Sequence, residues 1–179
     1  MFIPEITTRV HVDVDTSEID AALGVIASSE VLSDIPSLSE ELEERKTQIN
    51  DLKDPLAEAV AEGLQANQEM IISSKHHVNG DMTNSVDIME DGEDYLVGNT
   101  ASSVDGFPYP LAIETGSRDH WVEPDTFDAL HWTDGGKDMF SKGHMVSGIE
   151  ADPFVEPSID DTIHDIDEIA SEVIDEVIK

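Results

Sequence analysis

The chain has 179 residues, with 41 acidic side chains against nine basic ones, seven histidines and no cysteine. A formal charge of −32 excludes nucleic-acid binding through a basic footprint, because phosphate contacts need clustered Lys and Arg, and it opposes docking on an anionic membrane surface. Without cysteine there is no disulfide framework, no thiolate metal site and no cysteine nucleophile; the length suits one domain with its own core.

Acid-rich chains are often disordered, yet 39% of these residues are hydrophobic. The carboxylates are scattered from end to end and interrupt apolar residues at regular spacings, which points to a folded domain with an acidic surface. In dilute salt such like charges repel and weaken the compact state; at ~1 M salt the Debye length falls to roughly 3 Å and most of that repulsion is screened. The composition therefore reads as adaptation to multimolar salt, with a DNA mimic and a calcium-loaded surface as rival readings. The N-terminus, Met1-Phe2-Ile3-Pro4-Glu5, carries no basic, apolar targeting pattern, and no stretch reaches the roughly 18 apolar residues of a membrane span.

In chain order, Arg9 to Asp15 alternates strictly, placing Val10, Val12 and Val14 on one face of a half-buried strand within an N-terminal arm over 1–15. Thr16 and Ser17 offer N-caps to a short helix striped by Ile19, Ala22, Leu23 and Ile26, and 28–36 reads as a break. Ser37-Leu38-Ser39-Glu40 is a capping box opening a helix with Leu38, Leu42, Arg45, Ile49 and Leu52 at helical spacing. Asp54-Pro55 predicts a restart there, and Leu56, Val60, Leu64, Asn67 and Ile71 then form the apolar face of a longer helix to about Ser74.

The middle turns to strands. Ser85–Met89 and Tyr95–Asn99 flank Asp91-Gly92, a hairpin signal. Tyr109 to Thr115 reads as a short helix closed by Gly116. A second hairpin joins 129–133 to 139–141 through Asp134-Gly135-Gly136, with 144–149 continuing it. After Pro153 and Pro157 comes a last helix over 158–179, whose Ile159, Ile163, Ile166, Ala170, Val173 and Val177 make a narrow seam suited to another helix. The fold class expected is α+β in a single domain over 1–179: an N-terminal strand and helices, an antiparallel sheet of two hairpins, and a C-terminal helix.

Positive signs of chemistry are absent. There is no G-x-S-x-G elbow, no Walker loop, no dinucleotide fingerprint and no H-E-x-x-H. His76 and His77 are adjacent and on a helix would point about 100° apart. His120, His131 and His144 lie near the expected sheet, where isolated histidines more often pack or hydrogen-bond locally than hold a metal. Asp13-x-Asp15 and Asp91-Gly92-Glu93-Asp94 hint at calcium loops but lack the full ligand spacing of an EF-hand. No catalytic residue, metal or cofactor is expected.

One ordered series is more specific: Asn79-Gly80-Asp81-Met82-Thr83-Asn84-Ser85-Val86; Tyr109-Pro110-Leu111-Ala112-Ile113-Glu114-Thr115-Gly116-Ser117; His120-Trp121-Val122-Glu123-Pro124; Ala129-Leu130-His131-Trp132; and Pro153-Phe154-Val155-Glu156-Pro157. In order and spacing it resembles the tail-completion (neck, or minor tail) proteins of bacteriophages with long non-contractile tails, over roughly 55–165, with 28–54 as a helical insertion. Asn79, Met82 and Ser117 stand where that family usually has Thr, Leu and Thr. The resemblance implies that Gly80, Asp81, Tyr109, Ala112, Glu114, Gly116, Pro153, Phe154 and Pro157 are scaffold. Tyr109 and Ala112 would lie on the inner side of the short helix, and Phe154 would anchor the core.

The implied role is a structural virion protein and not an enzyme. It would be a ring, with a hexamer favoured, in the neck that joins a DNA-filled head to a tail. Its partners would be further copies of itself and the neighbouring head-closure, tail-terminator and tail-tube proteins, with genome DNA passing through without specific binding and no membrane involved. The location implied is the virion, after assembly in the host cytoplasm; with the salt-adapted composition, the virus would infect a halophilic archaeon. Candidate subunit contacts are Val10, Val12 and Val14 of the arm, Leu38 and Leu42 of the insertion, and Val173 and Val177 of the last helix. The competing readings are another neck role (head-closure stopper or tail terminator), an acidic binding module such as a DNA mimic, and a carboxylate-based hydrolase with a divalent cation.

Overall fold

The computed structural model describes residues 6–28, 36–75, 81–103 and 106–177. Gly80, His76, His77, Met1–Glu5 and most of the expected break over 28–36 lie outside those residues. The elements run β1 (Thr7–Val10), α1 (Ser17–Ser28), α2 (Pro36–Asp51), α3 (Lys53–Lys75), a 3-10 turn (Thr83–Ser85), β2 (Val86–Asp91), β3 (Asp94–Asn99), α4 (Tyr109–Thr115), β4 (His120–Val122), β5 (Leu130–Asp134), β6 (Lys137–Ser141), β7 (His144–Val146) and α5 (Val155–Val177). The class is α+β, as the periodicities predict. Where one domain is expected, the chain packs as two compact units, one formed by 1–100 with 155–179 and the other by 101–154.

The first unit is built on α3. Leu52 alone separates it from α2, and Pro55 accounts for the break: it has no N–H for the Asp51 carbonyl, and its ring clashes with that carbonyl four residues back. The buried stripe of α3 is Ala57, Ala61, Leu64, Gln68 and Ile72, one residue out of step with the expected Leu56, Val60, Asn67 and Ile71. The reason is packing on two sides, against α5 and against the sheet, which favours small residues along the line of closest approach. At Gly63 an added Cβ would stand 2.9 Å from Cδ1 of Ile169 on α5. Asn67 Nδ2 donates to Thr162 Oγ1 across the same contact (3.1 Å).

Three antiparallel strands in the order β1-β3-β2 cover the other side of α3. The β2–β3 hairpin pairs Asp91 with Asp94, and Gly92 turns with φ 73°, a conformation other residues seldom adopt. β1 is shorter than the alternation predicts. Its register runs Thr7↔Gly98 to Val10↔Tyr95, and β3 has only Asp94 left before its own turn. Burial still alternates through Val12 and Val14, but without a strand to pair with.

In the second unit, β5 and β6 form a two-stranded hairpin through Gly135 (φ 54°) and Gly136 (φ 81°), the pair of positive φ values that a tight two-residue turn needs. β7 departs from expectation. Instead of continuing that hairpin it pairs with β4, Trp121 opposite Met145. The close approach that permits this is at Gly148, where a Cβ would lie 1.9 Å from the Ser117 carbonyl oxygen.

The one-residue offset on α3 has a direct test. Ile72→Ala is expected to cost about 2–5 kcal/mol, the range for emptying a fully buried aliphatic site, and Ile71→Ala distinctly less, both read by urea unfolding at high salt. Equal losses would mean that the stripe has been placed wrongly.

Candidate functional site

The motif residues of the second unit close on one another. The Phe154 N–H donates to Glu114 Oε2 (2.9 Å), linking two motif segments forty residues apart in the chain. Around that bond the backbone forms a clasp: Asp152 N–H to Ile113 O (2.9 Å) and Ser117 N–H to Ile149 O (2.9 Å). Side chains complete it, with Ser117 Oγ accepting from Ile149 N–H (3.2 Å) and Asp119 Oδ1 from Gly148 N–H (2.8 Å). Gly116 ends α4 with φ 74°, and a Cβ there would meet the Ala151 nitrogen at 2.9 Å, so both its conformation and the space beside it call for glycine. β4 and β7 are the continuation of the clasp.

The remaining motif positions fit less uniformly. Phe154 is fully enclosed, at 0% exposure. Tyr109 and Ala112 are only half-buried, and the enclosed residue of α4 is Pro110. This shifts the inner side of the short helix by one residue from the expectation. Asp81 is exposed, its carbonyl accepting from Ser85 Oγ (2.6 Å). Pro153 is exposed and Pro157 half-buried at the opening of α5.

Among the candidate contact residues, Val10 is buried in its own core. Val12, Val14, Leu38, Leu42 and Val173 are half-buried and Val177 is exposed. α5 turns Ser158 and Thr162 inward, leaving Ile163, Ile166 and Ile174 of its apolar stripe exposed. Beside Ile163 and Ile166, an apolar groove of about 410 Å³ opens between β1, α3 and α5, lined also by Val10, Val12 and Val60.

Scarce cations are concentrated at one corner of the first unit. Arg9 binds Asp94 and Asp91 (2.8 Å to the latter), His11 bridges Asp94 and Asp13, and Lys53 binds Glu93 (2.7 Å). Lys46 pairs with Asp20, and Asp15 Oδ1 accepts from the Ser17 N–H at the start of α1 (2.9 Å). The acids of both suspected calcium loops are thus engaged by side chains or backbone of this chain. The Asp94 bond, then Asp13, raises the His11 imidazole above its ordinary value. His11 first and then Arg9 hold Asp94 below the usual carboxylate range.

The histidines of the second unit do not converge. His131 stacks on Phe140 with centroids 4.7 Å apart and bonds Asp138 (2.9 Å); His144 lies against Trp132 (5.0 Å); His120 Nδ1 lies 3.1 Å from the Arg118 carbonyl oxygen. Among the described residues no group of three or more His, Asp or Glu is placed to hold a metal ion, and no helix is long and apolar enough to cross a membrane.

The composition signals missed the exposed aromatics. Trp121 is 58% exposed, Phe127 81% and Phe140 68%, although residues of this kind ordinarily dominate cores. The one sequence sign was Gly135-Gly136, which marks a hairpin without saying what covers it.

Two predictions follow from these contacts. Glu114→Ala removes a charge-assisted acceptor and is expected to cost about 1.5–3 kcal/mol, with Glu114→Gln recovering part of it; equal stability of all three proteins in urea would contradict the clasp. For His11, a folded-state value raised above the unfolded ~6.5 means its contribution is whole below that pH and is lost as pH rises through the folded value. The stability difference between wild type and His11→Gln should therefore shrink as pH is raised across that window, and a constant difference would contradict the bridge. Compared with protein-family models, curated proteins and solved structures, the chain matches none.

Proposed function

We propose that this chain is a structural protein of a virion, forming a ring in the neck between a DNA-filled head and a long tail, in a virus of a halophilic archaeon. The observation that carries the reading is the clasp: Glu114 and Gly116 of one motif segment close on Phe154 and its neighbours in another. Two of the ordered motif segments thus meet in one scaffold. The motif residues serve folding, as expected of a protein whose function is its shape and its contacts.

Two further features support it. Apolar surface is left uncovered on α5 and on the second unit, as a subunit that completes itself by association requires. An acidic wall around a channel would repel passing DNA phosphates, so a strongly anionic ring suits a conduit in which the genome must not stick.

Negative-stain imaging in multimolar KCl, of the protein alone and mixed with isolated virion necks, tests the reading. Rings with sixfold symmetry that add to the head–tail junction are expected. A protein that stays monomeric or dimeric and binds a basic enzyme would replace this reading with mimicry.

A further inference from the structure

The charges of the N-terminal segment are arranged about a centre. Over 9–15 the order is Arg, Val, His, Val, Asp, Val, Asp. Burial alternates along it, with Val10, Val12 and Val14 turned in and Arg9, His11, Asp13 and Asp15 exposed. The segment thus keeps the two faces of a strand beyond the last residue that β3 pairs. His11 Nε2 lies 3.1 Å from Asp13 Oδ1, as two side chains on one face of an extended chain do.

Laid antiparallel on a second copy of itself about Val12, this segment sets Arg9 opposite Asp15 and His11 opposite Asp13. Val10 then meets Val14, and Val12 meets Val12. Opposite charges and β-branched residues directly across from one another are pairs that stabilise an antiparallel ladder. Sliding one strand by one residue sets valines against charges. Sliding it by two centres the pair on His11 or Asp13, each then facing its own copy. Only the register about Val12 uses all four charges.

The edge that would receive such a strand is open. β1 is the outer strand of the order β1-β3-β2, and among the described residues no strand pairs its other edge or any of 11–15; such a row of backbone donors and acceptors is a template for another strand. Beside it lies the apolar groove, where Val10 and Val12 stand with Val60 of α3 and Ile163 and Ile166 of α5. An added strand carries its valine face over that groove. On the other face the side chains of Arg9, His11 and Asp13 are 52%, 47% and 88% exposed. Arg9 meets Asp91 through one terminal nitrogen and Asp94 through the other; each carries two N–H groups, so a third carboxylate can join.

We propose that two copies of this chain pair edge to edge through residues 9–15, antiparallel about Val12. Their three-stranded sheets become one continuous sheet, and the valines of each copy cover the β1–α3–α5 groove of the other. The contact is two-fold and self-complementary, so it goes beyond the ring reading and stands or falls apart from the head-to-tail contacts of a ring.

Mild oxidation of Val12→Cys in multimolar KCl tests it, in a chain with no cysteine of its own. Only a residue on the axis faces its own copy, so Val12→Cys is expected to run as a disulfide-linked dimer on a non-reducing gel. Asp15→Cys, about 20 Å from its copy at six residues of strand rise, is expected to stay unlinked. Val12→Glu and Val12→Lys, with folding checked by urea unfolding, supply a second measure. In sedimentation velocity each alone is expected to lose the pairing that the wild type shows, and their mixture to regain it as a one-to-one pair. A Val12→Cys chain that links no more than Asp15→Cys, or charged variants that pair like the wild type, would overturn the contact. Rings without the Val12→Cys link would overturn it and leave the ring reading standing; linked pairs that never form rings would do the reverse.

Discussion

Self-repulsion is the constraint on which this structure turns. With 41 acids and nine bases, most carboxylates have no cation of the chain to meet, and the compact state is held against their mutual field. The few available cations are not spread evenly. Arg9, Lys53 and His11 gather where the N-terminal segment crosses the β2–β3 turn, neutralising Asp91, Glu93 and Asp94. Exposed ion pairs contribute little individually. Their placement matters more here: they fasten β1 to the sheet at the point where its backbone pairing stops.

Cohesion has to come from packing. At the α3–α5 contact Gly63 faces Thr162 and Ile169, and Asn67 bonds Thr162; the missing side chain of the glycine lets the helices approach closely. Ile163, Ile166 and Ile174 of α5 are left outside. An apolar stripe on an otherwise acidic helix is thus a consequence of how the core is built, and it is also what gives the proposed ring a surface to close on.

Much of this was legible in the sequence because it is local. Pro55 breaks a helix wherever the chain goes, Gly92 and Gly135-Gly136 permit their turns, and Gly116 ends α4 for reasons contained in its own φ. What could not be read depends on distant partners. The α3 stripe looks like Leu56, Val60 and Ile71 when hydrophobicity alone is weighed, and becomes Ala57, Ala61 and Ile72 once two surfaces must fit against one helix. Val14 alternates like a strand residue, but β3 has ended before it. β7 follows β6 closely and yet pairs with β4, because Gly148 and the clasp bring those segments together. The motif segments were readable as an ordered list; the Glu114–Phe154 bond that joins two of them was not. The exposed aromatics gave no sign, since an alternating hairpin has the same pattern whether or not its own chain covers it.

Thermal unfolding followed across a KCl series is the most direct measurement of the central claim, that an acidic surface under self-repulsion sets the conditions in which this fold exists. The melting temperature should rise steadily from dilute buffer into the multimolar range, with cooperative unfolding only at the higher concentrations. A protein most stable in dilute buffer, or indifferent to salt, would contradict the account.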